Sequence, residues 1–190
     1  MKTVNIPPYL YELFGRRTSV LELSVTLFFS AAMSAAMLAY SAKEWLTLAG
    51  WKVAALALLL LDINGGVIAN FTASTNRYYR ASPGARYLFI LVHVQPLLLA
   101  WLLGEGWSAC LFVWLYAAAS ALIVNACARH YAQRTIGAAL LCAGIGFFLL
   151  QYAGSLPKLL LATLLFYLVK VAFAFAVDHD PGREDREAAK

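Results

Sequence analysis

The sequence predicts an all-α integral membrane protein, a six-transmembrane-helix bundle with both termini in the cytoplasm, and three observations predict it. Apolar residues make up 62% of the 190 residues and charged residues 13%, where a soluble domain has about half and about a quarter. One domain of this length cannot hide so much apolar surface in its own core, so lipid must cover the remainder. Six apolar stretches are each long enough to cross a hydrocarbon core, which takes roughly twenty residues. Lys and Arg are sorted between alternate connections, as the positive-inside rule requires.

In chain order, residues 1–18 form a cytoplasmic N-terminal segment in which Ile6-Pro7-Pro8-Tyr9-Leu10-Tyr11 suits the membrane interface. Residues 19–177 are the transmembrane domain, with spans at about 20–40, 53–73, 87–103, 108–128, 135–153 and 159–177. Residues 178–190 are a charged cytoplasmic tail. The first span is expected to be retained. Its apolar run exceeds that of a secretory signal, and Arg16-Arg17 lacks the large apolar residues that follow a twin-arginine motif. The long polar connection, 74–86, contains the turn signal Ser82-Pro83-Gly84. Apolar runs ending in glycine at 59–66 and 140–146 do not extend into an internal repeat.

With the N-terminus inside, the cytoplasmic side holds Lys2, Arg16, Arg17, Arg77, Arg80, Arg86, Arg129, Arg134, Arg183, Arg186 and Lys190, against Lys43, Lys52 and Lys158 outside. Trp45, Trp51 and Trp107 then fall near the outer interface, where amphipathic rings are favoured. The expected location is the plasma (inner) membrane. The net charge of +5 follows from this sorting, and no nucleic-acid partner is implied.

Ionisable groups inside a bilayer are costly, which makes each a functional candidate. Glu22, Asp62, His93 and Lys170 lie at depths of roughly 6, 18, 10 and 10 Å from the cytoplasmic side. The outer half offers only Gln151, Tyr152 and Glu105 at its edge. Any site therefore opens inward, between the second, third and sixth spans.

The second span carries the run Asp62-Ile63-Asn64-Gly65-Gly66-Val67-Ile68-Ala69-Asn70. Asp62, Gly65, Gly66, Ala69 and Ala73 share one helical face. Small residues there admit a close helix neighbour, and the polar ones bond across the contact or face a ligand. In the third span, Pro96 of His93-Val94-Gln95-Pro96 frees a carbonyl near Val92, and His93 either satisfies that break or serves proton transfer. In the sixth span, Thr163, Tyr167, Lys170 and Ala174 form a stripe. Lys170 either snorkels to the surface or reaches Asp62 to form an intramembrane pair. Polar stripes of Ser19, Glu22, Thr26, Ser30 and Ser34, and of Ala117, Ala121, Asn125 and Arg129, should face the bundle.

The candidate reactive groups are thus Asp62 and His93, and the candidate ligand contacts are Asn64, Gly65, Gly66, Asn70, Gln95, Lys170, Arg77 and Arg86. His93, His130 and His179 differ too much in depth to share one metal. No metal and no cofactor is predicted, and hydrolase, zincin and nucleotide-binding motifs are absent. Cys110, Cys127 and Cys142 read as small packing residues.

The leading expectation is a lipid or other membrane-borne substrate, bound or processed at a polar site open to the cytoplasmic leaflet. The alternatives are a small-solute or proton-linked permease and an assembly subunit that docks a membrane-protein partner, or a second copy, through its small-residue seams.

Overall fold

The computed structural model describes residues 2–128 and 130–179. Arg129 and the tail beyond His179, both counted above among the basic groups, lie outside the described residues. The chain opens with β1 (Thr3–Asn5), a 3-10 turn at Pro8–Leu10, α1 (Tyr11–Phe14) and β2 (Arg17–Ser19). It continues through α2 (Val20–Tyr40), α3 (Ala42–Trp45), α4 (Gly50–Phe71), α5 (Ala73–Ala81), α6 (Pro83–Val92), α7 (Gln95–Leu103), α8 (Trp107–Ala126) and α9 (Gln133–Tyr152). The last helix, α10 (Lys158–Leu168), runs into π-helical turns over Val169–Phe175.

Among the described residues, six helices are long and apolar enough to cross a membrane: α2, α4, the α6–α7 pair, α8, α9 and α10 with its π extension. Their outward faces are apolar as well, with Phe28 76% and Leu150 88% exposed, as lipid contact would leave them. The sixth helix is the axis of the bundle and the fifth lies at its edge, since 61% of the most apolar 18-residue stretch of the former is buried against 17% of that of the latter. Around that axis Leu56, Leu60 and Ile63 of α4, Leu99 of α7, Val113 of α8 and Phe148 of α9 form the core. Cys110 belongs to it, whereas Cys142 stands on the exposed outer face.

Several boundaries differ from expectation for identifiable reasons. Ser19 starts α2 through a capping box in which its hydroxyl accepts the Glu22 amide (3.1 Å) and its own amide donates to the Glu22 carboxylate (3.2 Å). Glu22 is therefore a helix-capping residue, and the Ser-x-x-Glu spacing carried that signal. The connection 74–86 is mostly helix. Thr72 leaves helical geometry and caps α5, and Pro83, with its fixed φ, starts α6 four residues before the expected start of the third span. That span is interrupted at His93-Val94. Pro96 cannot donate to the Val92 carbonyl, and the Val94 amide takes its place at 2.8 Å.

The all-α expectation also missed a two-stranded antiparallel hairpin, β1 against β2, with Val4 opposite Thr18. The hairpin and α1 lie on α5. Thr75 Oγ1 donates to the Leu13 carbonyl at 3.0 Å and the Tyr79 hydroxyl to that of Glu12 at 3.1 Å. Gly15 has φ 68°, and a Cβ there would overlap the Ser74 backbone.

At the arginine-poor end of the bundle, Glu44 of α3 accepts the first amides of α10, Lys158 N at 3.0 Å and Leu159 N at 2.9 Å. The carboxylate supplies the cap that Pro157 lacks and meets the positive end of the helix dipole. Nearby, Lys52 Nζ donates to the Leu102 carbonyl at 3.1 Å beneath the Trp51 and Trp101 rings.

Candidate functional site

Lys170 is 98% removed from solvent and donates to Asp62 Oδ2 at 2.8 Å. A buried ammonium demands such a partner, because leaving it alone in low dielectric costs several kcal/mol, of the order of 3–5. Gln95, at the start of α7, bridges the pair: its amide donates to the same Asp62 oxygen and its carbonyl faces Lys170 Nζ at 3.4 Å. Gly66 makes room for this arrangement. A Cβ at that position would fall on the Lys170 Cε, one turn from the carboxylate that holds it. Lys170 is thus paired within the bundle and does not snorkel to the surface.

Asp62 is only half-buried, with 36% of its side chain exposed. Its Oδ2 takes both hydrogen bonds, and its second oxygen makes none among the described residues.

His93 caps α6. Its Nδ1 lies 2.6 Å from the Phe89 carbonyl, and since a carbonyl only accepts, Nδ1 carries the proton. Nε2 is then an acceptor with no hydrogen bond among the described residues. The ring is held on Phe89 (centroids 3.5 Å apart), which stacks on Phe175 (3.8 Å), which in turn lies under the Arg86 guanidinium at 5.2 Å. The His93 carbonyl accepts the Tyr167 hydroxyl at 2.5 Å. The imidazole is therefore fixed in tautomer and direction by its surroundings, as a working base or acceptor needs.

Asp62, His93 and Lys170 line a cleft of about 170 Å³ with Gly66, Ala69 and Asn70 of α4, Tyr79, Phe89, and Glu12 and Leu13 of the N-terminal segment. Asp62 also lines a second hollow of about 390 Å³ between α4 and α7, whose other walls are Ala55, Leu58, Leu59, Leu98, Trp101 and Leu102. One carboxylate thus stands where a polar cleft meets an apolar groove. Burial raises the pKa of Tyr79 at the cleft rim well above that of a free phenol, so it stays a neutral hydrogen-bond donor.

The remaining sequence candidates divide. Asn70 lines the cleft, donating weakly to the Lys170 carbonyl (3.5 Å). Asn64 faces α2, where its amide donates to Ser34 Oγ at 3.0 Å. Gly65 meets Ser30 of the same helix, whose hydroxyl donates to the Leu61 carbonyl at 2.7 Å. Both belong to the α2–α4 seam and not to the cleft. Arg86 donates to the Ala176 carbonyl at 2.9 Å and closes the end of the π-helical turns. Arg77 lies on a separate surface cleft. Glu12, Leu13 and Tyr79 escaped sequence reading because they reach the cleft only through the fold of the N-terminal segment. The groove escaped it because its leucines resemble any lipid-facing run.

No protein-family model matches this sequence, and neither does any curated protein or solved structure.

Proposed function

We propose that the chain is a multi-pass protein of the plasma (inner) membrane, with both termini in the cytoplasm, that binds or processes a membrane-borne amphiphile at the Asp62–Lys170–His93 cleft. The observation that carries this reading is the meeting of polar cleft and apolar groove at Asp62. Placing the arginine-rich end inside, by the positive-inside rule, turns the polar cleft toward the cytoplasmic side. From Asp62 the groove follows Leu59, Leu58 and Ala55 back along α4, roughly 10 Å toward the opposite end. With Asp62 roughly 18 Å in from the cytoplasmic side, near the middle of a core of about 30 Å, a head group at the cleft would have its chain running from the midplane toward the outer face.

The chemistry of the cleft narrows the head group. Lys170 is neutralised, while Asp62 and His93 each present an acceptor that has no partner among the described residues. A head group bearing hydroxyl or amine donors meets those acceptors, whereas a bare anion would meet the carboxylate. If the head group reacts, His93 Nε2 is the group placed to take its proton.

The test is mass spectrometry of lipids retained by the purified chain, alongside His93→Ala and the groove-filling Leu98→Trp. A hydroxyl- or amine-headed lipid should co-purify with the parent chain and be depleted about tenfold in both variants, with folded yield unchanged. Equal lipid complements in all three proteins would sink the reading.

A further inference from the structure

A second cleft, of about 350 Å³, lies at the arginine-rich surface and is lined by Arg16 and Arg17 of the hairpin, Ser74, Arg77 and Tyr78 of α5, and Ser82. Its volume is within the range of ordinary small-ligand sites, about 300–1,000 Å³. Topological sorting explains why arginines are at this end, but it does not require two segments far apart in sequence to aim guanidinium groups at one hollow. No carboxylate among the described residues forms an ion pair with Arg16, Arg17 or Arg77. Among the described residues the Arg17 side chain donates only to Thr3 Oγ1, at 3.2 Å, and Arg16 lies over the Tyr11 ring at 5.9 Å. Glu22, five positions after Arg17, is held by the Ser19 capping box. The side-chain hydroxyls of Ser74 and Ser82 make no hydrogen bond among the described residues and border the same space.

We propose that this cleft binds a phosphate group, carried by a lipid head or free in solution, between Arg16, Arg17 and Arg77. Guanidinium forks match phosphate oxygens bidentately, and the two serine hydroxyls add neutral donors. The position suits a lipid source, because Arg17 lies just before α2 and Ser82 just before α6, both starts of span-length helices. A phosphate held there would join the hairpin to α5. This site is separate from the Asp62 cleft, and its test does not depend on that reading.

The full chain is purified in a sugar-headed detergent, which carries no phosphate, and mixed separately with phosphatidic acid and with inorganic phosphate. Retained lipid is read by native mass spectrometry, and both ligands are read by thermal shift. Phosphatidic acid should bind the parent chain, and its affinity should fall about tenfold or more in Arg16→Gln and Arg77→Gln, while Lys43→Gln at the opposite end leaves it unchanged. Ser82→Asp keeps a good helix-capping residue but puts a carboxylate into the cleft. It should abolish binding with the fold intact, so the test survives if an arginine variant folds poorly. A shift with inorganic phosphate that is lost in Arg77→Gln means the site reads phosphate alone. A response to phosphatidic acid only means that it reads a lipid head. Absence of binding in both arms, or equal losses in Lys43→Gln and Arg77→Gln, overturns the proposal.

Discussion

Lys170 and Asp62 are unequal partners, and the inequality has a measurable consequence. The ammonium is buried, whereas more than a third of the carboxylate side chain is exposed. Asp62→Ala strands a charge with no exit and should cost about 3–5 kcal/mol of stability. Lys170→Met leaves a carboxylate that still has Gln95 and an open side, so it should cost less. The double variant should lose less than the sum of the two, a coupling that a double-mutant cycle of thermal unfolding in detergent would read. This pair was within reach of sequence reasoning. Depth counting places both residues in the same half of the bundle, and the small residue at Gly66 is what a close approach requires. His93 was legible only in part. Pro96 announces the helix break, yet the carbonyl it frees is taken by the Val94 amide, and His93 binds that of Phe89 instead.

A second prediction at this scale concerns His179, beyond the last span. It packs against Phe71 and Phe173, with ring centroids 4.7 and 5.5 Å away, and burial pushes its pKa below the ordinary 6.5. The folded state therefore binds a proton less readily than the unfolded chain. This contribution to stability is full above pH 6.5 and is lost as pH falls from there through the depressed folded value. His179→Phe should flatten the decline in melting temperature below that pH. An unchanged slope would count against the assignment.

At the scale of elements, the N-terminal hairpin is a cover whose fastening depends on Gly15. Alanine there costs about 1–3 kcal/mol for its backbone alone, since φ 68° with ψ −173° is a conformation essentially confined to glycine, and its Cβ would also meet the Ser74 backbone. Gly15→Ala should loosen residues 3–19 from α5, giving faster amide exchange and easier cleavage after Arg16 and Arg17, while α4 and α10 keep their protection. The hairpin was not legible in the sequence. Its strands have three residues each, too short for an alternating pattern to emerge, and their pairing depends on contacts with α5 some sixty positions away. The six long helices were legible because hydropathy over twenty residues is a sum, and one misjudged residue does not change it. Their ends were less so. Capping at Thr72 and Pro83 turned an expected loop into helix.

At the scale of the whole molecule, sidedness is the property to measure. With Cys110, Cys127 and Cys142 replaced by alanine, single cysteines at Thr3 and Ala132 should react with a membrane-impermeant reagent only after the inner face is exposed. A cysteine at Ser155 should react in intact cells. The reverse pattern would invert the topology and turn the polar cleft to the outer side.

Glu44 gives the bundle a mechanical bias. By seizing the first amides of α10 it fastens the connection after α2 to the central helix, while at the other end a small hairpin and α1 lie on α5 through bonds such as Thr75 to Leu13. Rocking the helices apart at the fastened end would break two charge-assisted hydrogen bonds together; lifting the hairpin breaks mainly neutral ones. Opening of the polar cleft should therefore be biased to the hairpin end. A guest of the kind proposed above would then reach the polar cleft from the hairpin face, with a residence time there that loosening the hairpin shortens. Glu44→Gln would weaken that latch without touching the cleft.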